Sequence, residues 1–128
     1  MIFFTLLAHL HITTLAHYFM NWKKIESENT LKEINLRSHD MPQLIFKHST
    51  RCSISSMALN RMTSAQQPQG VEIYYLDLLN FRNLSNQIAS DYHVPHESPQ
   101  ILLIKNEQCV YHATHSEISM RDLVEQLK

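Results

Sequence analysis

Cys52 is the residue of this sequence best placed to act as a nucleophile. It ends the short connection Lys47-His48-Ser49-Thr50-Arg51 after the apolar run Leu44-Ile45-Phe46, and Ile54, Met57, Ala58 and Met62 follow it at helical spacing. That pattern predicts a strand covered on both faces, a turn, and a helix packed through one stripe, with the cysteine at the helix entrance. The first amides of a helix have no intrahelical partner, and the aligned peptide dipoles make that end positive. A thiolate is favoured there, which can bring a cysteine pKa from about 8.5 into the range of roughly 3.5–7.5. Arg51 adds a full charge beside it, with Lys47 or His48 as further sources. The chemistry open to such a sulfur is thiol–disulfide exchange.

Three residues on, Cys52-Ser53-Ile54-Ser55 carries a hydroxyl where a dithiol motif has its second cysteine. Ser55 cannot form a resolving disulfide. Its O–H can hydrogen-bond the Cys52 thiolate, but an outside thiol must then complete the cycle. A second constellation, Ser98-Pro99, stands just ahead of the strand-like stretch Gln100 to Lys105. A cis X–Pro turn there would bring the Ser98 backbone opposite the sulfur, and that backbone could hold an extended substrate as an added strand. Catalysis is therefore expected from Cys52, Ser55 and Arg51, and substrate contacts from Thr50, Ser98 and Pro99.

Blander roles compete with each assignment. A lone cysteine in an apolar-rich chain can be an inert packed residue, and Pro99 can be a trans proline on an edge strand. The strand-Cys-helix placement together with the distant proline favours the reactive reading for Cys52. Cys109 falls inside a predicted strand and reads as a structural thiol. Cys109, His112 and His115 lack a fourth ligand, and two of them sit on a strand at alternating geometry, so no metal is expected.

The elements that must position these residues alternate along the chain. Trp22 to Ile25 predicts a short strand, and Ser27 is a plausible N-cap for a helix running toward Arg37. Pro42 ends that region before the Leu44 to Lys47 strand. Gln67-Pro68-Gln69-Gly70 breaks the chain ahead of Val71 to Leu76, a second buried strand. A crossover helix between the two makes them parallel. Phe81, Leu84 and Ile88 mark another helix that closes around Ser90 and Asp91. Ile101 to Ile104 and Cys109 to His112 flank the turn Lys105-Asn106-Glu107-Gln108 as an antiparallel hairpin. Met120, Leu123, Val124 and Leu127 form a last helix. This order fits an α/β chain with the thioredoxin-like three-layer fold, a mixed central sheet flanked by helices.

At 128 residues the chain fits one domain with a sizeable core. A formal net charge of -1 supplies no general attraction for nucleic acid or anionic membrane. Two cysteines are too few for a secreted disulfide framework, so a reducing cytoplasm is the expected compartment. From Met1 to Trp22 there is no Lys, Arg, Asp or Glu. The segment nevertheless lacks the positive n-region and cleavage site of a secretory signal, and His9, His11, His17 and its threonines dilute it as a span. Residues 1–19 are therefore expected to be an extension without a part in the chemistry, and residues 20–128 the folded domain.

Two blocks, Phe46-Lys47-His48-Ser49-Thr50-Arg51-Cys52-Ser53-Ile54-Ser55-Ser56-Met57-Ala58 and His96-Glu97-Ser98-Pro99-Gln100-Ile101-Leu102-Leu103-Ile104-Lys105-Asn106, closely resemble the monothiol bacilliredoxin family of the bacillithiol redox system of low-GC Gram-positive bacteria. The resemblance runs over essentially Met20 to Lys128; residues 1–19 depart from it, and the hairpin turn lacks a glycine. It implies a cytosolic protein that removes bacillithiol from S-bacillithiolated client proteins. The residue matching Cys52 would take bacillithiol onto itself, to be reset by free bacillithiol or a partner reductase. Bacillithiol would be a co-substrate, with no bound cofactor, no nucleic-acid or membrane partner, and a monomer as the working unit. The competing class is a non-catalytic adaptor that binds proteins at the Pro99 edge, with Cys52 as a redox sensor. A Cys52–Cys109 disulfide switch ranks last, because Cys109 is expected on a different strand from the one that leads to Cys52, beyond the reach of an S–S bond.

Overall fold

The computed structural model describes residues 21–128; the expectations for residues 1–19, with His9, His11 and His17, lie outside the described residues. Five strands and four helices follow one another as β1 (Lys23–Lys24), α1 (Glu28–Arg37), β2 (Gln43–His48), α2 (Ser53–Ser64), β3 (Glu72–Asp77), α3 (Arg82–Tyr92), β4 (Gln100–Lys105), β5 (Gln108–Thr114) and α4 (Met120–Gln126). A 3-10 turn, His115–Glu117, precedes α4. The strands form one sheet in the order β1-β3-β2-β4-β5. β1 and β2 run parallel to β3, whereas β4 is antiparallel to both β2 and β5.

Alternation along the central strand creates the two cores, because successive strand residues face opposite sides of a sheet. Ile45 joins Ile34, Leu76, Leu84, Ile88 and Leu102 on the face covered by α1 and α3. Leu44 and Phe46 join Ala58, Met62, Leu103 and Leu123 on the face covered by α2 and α4. All six residues of β2 are buried, as expected for a strand with a helix layer on each side. The same parity sends Lys47 toward α3 and His48 toward α2.

Ser27 caps α1 by accepting from the Thr30 amide, as expected from the sequence. The first strand is shorter than predicted, since Trp22 and Ile25 flank it rather than belong to it. Trp22 is nonetheless buried, with its indole N–H donating to Gln67 Oε1 at 2.8 Å. The β4–β5 hairpin closes through Asn106 and Glu107, both in the left-handed region at φ 51° and 62°. Two-residue hairpin turns require that conformation and usually recruit glycine for it. Here Ser38 holds the turn instead: its carbonyl accepts from the Asn106 amide at 3.0 Å and its hydroxyl from the Glu107 amide at 2.9 Å.

Candidate functional site

β2 ends at His48 and α2 begins at Ser53, leaving four residues to reverse the chain. They do so in a turn closed by the Cys52 amide donating to Ser49 O at 3.2 Å, with Thr50 and Arg51 exposed at its tip. Cys52 is the N-cap residue of α2, in extended conformation, and its carbonyl accepts the first intrahelical bond, from Ser56 at 3.0 Å. The sulfur itself caps no amide. It is a free, partly exposed thiol at the positive end of a helix of 12 residues.

The expected partnership of Ser55 with Cys52 is not what the structure contains. Ser55 is fully buried; its oxygen accepts from the Ser49 amide at 3.0 Å and lies 2.7 Å from His48 Nδ1. The hydroxyl therefore holds the base of the Cys52 turn against the end of β2. The physical reason is parity: His48 faces α2, and Ser55 lies on the buried stripe Ser55-Ala58-Met62 that faces it. Ile54 and Met57, expected in that stripe, fall outside it at 53% and 61% exposure and leave an apolar surface next to the cysteine.

Lys47 and His48 also differ from the full charges expected near the sulfur. His48 is buried between Phe46 and Tyr75, with ring centroids 6.3 Å and 5.6 Å away. Burial lowers its pKa, against the opposing carboxylate of Asp77 and its link to Ser55. Lys47 is wholly buried and its pKa is pushed down to about 8 by desolvation. Arg51 remains exposed, with no ion pair among the described residues.

The β2–β4 register pairs Lys47 with Gln100, so one further step places Pro99 opposite His48, at the sheet end that carries the Cys52 turn. The Ser98–Pro99 peptide is cis. Pro99 O accepts from the His115 amide at 3.1 Å, but neither backbone polar group of Ser98 has a partner among the described residues. The buried Ser98 hydroxyl is unpartnered as well. Cys52, Thr50, Arg51, Ser98 and Pro99 thus share one end of the sheet.

Cys109 belongs to the other end. It pairs with Ile104, whose β2 partner is Gln43, five residues before His48. At about 3.3 Å per residue that separation alone is about 16 Å, far beyond the ~7 Å Cα limit of a disulfide. The Cys109 thiol donates to Tyr111 O at 3.3 Å, and burial pushes its pKa up.

Comparison with known proteins gives the same architecture. The family model described as Monothiol bacilliredoxin BrxC matches residues 23–123. A solved structure described as a candidate oxidoreductase with a thioredoxin fold is 25% identical at TM-score 0.77, covering 88% of this chain and 98% of that one. Thioredoxin of Malassezia sympodialis is 15% identical at TM-score 0.62, over 83% and 87% of the two chains. The short form of thioredoxin f from spinach chloroplast matches at 15% identity and TM-score 0.62, over 84% and 90%.

Proposed function

The chain belongs to the monothiol bacilliredoxin family, a redox family built here on the thioredoxin fold, and we propose that it removes bacillithiol from S-bacillithiolated client proteins through Cys52. The observation that carries this reading is a partly exposed thiol at a helix entrance, at the same sheet end as an unpaired Ser98 backbone.

The client enters as an extended segment against Ser98, whose N–H and C=O accept it as one more strand. The Cys52 thiolate attacks the bacillithiol sulfur of the mixed disulfide. The client S–S bond breaks, the client thiolate leaves with the electron pair and takes a proton, and Cys52 holds bacillithiol in a new disulfide. Ser55 offers no sulfur and Cys109 is out of reach, so a second, external thiol attacks the adduct. With free bacillithiol as that thiol, bacillithiol disulfide leaves and the Cys52 thiolate is restored. Arg51 and the N-terminus of α2 supply positive charge at the Cys52 turn in both half-reactions. The working unit is a monomer in a reducing compartment; no helix of the described residues is long and apolar enough to cross a membrane.

Incubating the protein with an S-bacillithiolated client and following both by mass spectrometry tests the proposal. Client thiol should appear together with a bacillithiol adduct on Cys52, and Cys52→Ser should abolish both. Turnover retained by Cys52→Ser would overturn the reading. Slow alkylation of Cys52 with client bound but unprocessed would favour the adaptor instead.

A further inference from the structure

The segment between α3 and β4 reaches the substrate platform through a series of anchors. Val94 is buried and its amide bonds Ala89 O at 3.1 Å; Gln100 Nε2 donates to Pro95 O at 3.1 Å; Pro99 O is taken by His115. Between the second and third anchors lies His96, two residues before Ser98. Its Nδ1 is 3.4 Å from Lys47 Nζ and 3.1 Å from Ser85 Oγ, and the same ammonium donates to Ser85 O at 3.1 Å.

An ammonium has no acceptor, so its bond to His96 requires a neutral imidazole with the Nδ1 lone pair directed at it. Burial, Lys47 and Arg82 all lower the His96 pKa, with Glu97 opposing them, which keeps that form. Lys47 has no carboxylate partner among its contacts. A buried, unpaired ammonium is costly to hold inside a protein, and the apolar parity of β2 would have been served by another isoleucine. Its place on the strand that leads to Cys52 asks for a role other than packing.

We infer that Lys47 and His96 are positioning residues for the exchange at Cys52: together with Ser85 they clasp the segment before Ser98 against α3 and hold the unpaired Ser98 backbone where the client strand must dock. This rests on the thiol-exchange reading above. The clasp acts on client docking and leaves the chemistry of the sulfur itself untouched, and that separation makes it testable.

Lys47→Met, His96→Phe and His96→Gln are compared in the full chain with two disulfides: an S-bacillithiolated protein client, and a small aromatic disulfide that needs no strand docking. Lys47→Met and His96→Phe should lose tenfold or more in kcat/KM toward the client, chiefly through KM, while reacting with the small disulfide within twofold of the parent. His96→Gln, which keeps an acceptor near the ammonium, should recover most of the client activity. Lys47→Met should unfold at the same temperature as the parent or higher, since it removes a buried charge. Client kcat/KM within twofold of the parent in folded His96→Phe overturns the clasp, as does an equal loss toward both disulfides. A Lys47→Met chain that does not fold assigns Lys47 to the core and overturns its part. Failure of the exchange reading itself would look different: Cys52→Ser would then match the parent with either disulfide.

Discussion

The two ends of β2 are built on opposite electrostatic plans. At the Gln43 end, Glu72 receives Arg37 Nε at 2.7 Å, Lys23 Nζ at 2.7 Å and Gln43 Nε2 at 3.0 Å, while Ser38 satisfies the hairpin turn. At the His48 end, an ammonium and an imidazole are buried without opposite charges in hydrogen-bond contact, and Ser98 leaves its polar groups unpartnered. Each end also carries one of the two cysteines. Ion pairs close over Glu72 at one end, although Gln43 Oε1 there lacks a partner, whereas the other end has, among the described residues, no ion pair to its buried cation and leaves the Ser98 hydroxyl and Gln100 Oε1 open.

The largest test of that contrast is the pair of cysteine variants. Cys52→Ser should reduce de-thiolation of a client to background, measured as client thiol released, whereas Cys109→Ser should keep the parental rate within about twofold. Equal losses from both would erase the distinction between the ends.

Much of this contrast is legible in the sequence, but unevenly. The order of elements follows from short apolar runs set off by Pro, Gly and polar turns, and the placement of Cys52 at a helix start follows from the spacing after Phe46. The cis bond at Pro99 is likewise anticipated by its position ahead of β4. The partners of Ser55 are not legible, because they depend on the parity that turns His48 toward α2, and local sequence pointed to the nearer cysteine instead. Lys47 looks like a solvated charge at a strand end until the β2–β4 pairing shows the strand continuing past it under α3. Arg61, whose guanidinium holds the 3-10 turn through His115 O at 3.0 Å and Ile118 O at 3.3 Å, gives no local signal at all.

Ser55→Ala sharpens the comparison at the reactive end. Losing a buried hydroxyl that serves both the Ser49 amide and His48 should cost about 2 kcal/mol in denaturant unfolding, and client turnover should fall with it as the Cys52 turn loosens. Full activity would show that the turn is held by other means.

Glu72→Gln probes the paired end with a smaller effect. Hydrogen bonding from Arg37, with Lys23 and Gln43 adding to it, holds the Glu72 pKa at about 2 against an ordinary 4.5. A carboxylate depressed in this way contributes stability in full above the unfolded-state value and loses it as pH falls through the folded one. The variant should therefore be about 1 kcal/mol less stable at pH 7, since its cationic partners are half exposed to solvent. That gap should close as the pH approaches 2, and the exchange rate at neutral pH should not change.

Smallest is the effect of Cys109→Ser on folding, expected below about 1 kcal/mol by thermal unfolding because a hydroxyl can replace the thiol bond to Tyr111 O. A larger loss would make that cysteine a keystone of the α1–α3 core.

The distance between the sulfurs also sets a clock. A dithiol protein can eject its cargo at a pace fixed by its own geometry, but here the lifetime of any adduct on Cys52 is governed by how soon a thiol arrives from solution. Under the proposed exchange, turnover would be throttled by the surrounding supply of reductant, and a shortage would leave the protein standing loaded.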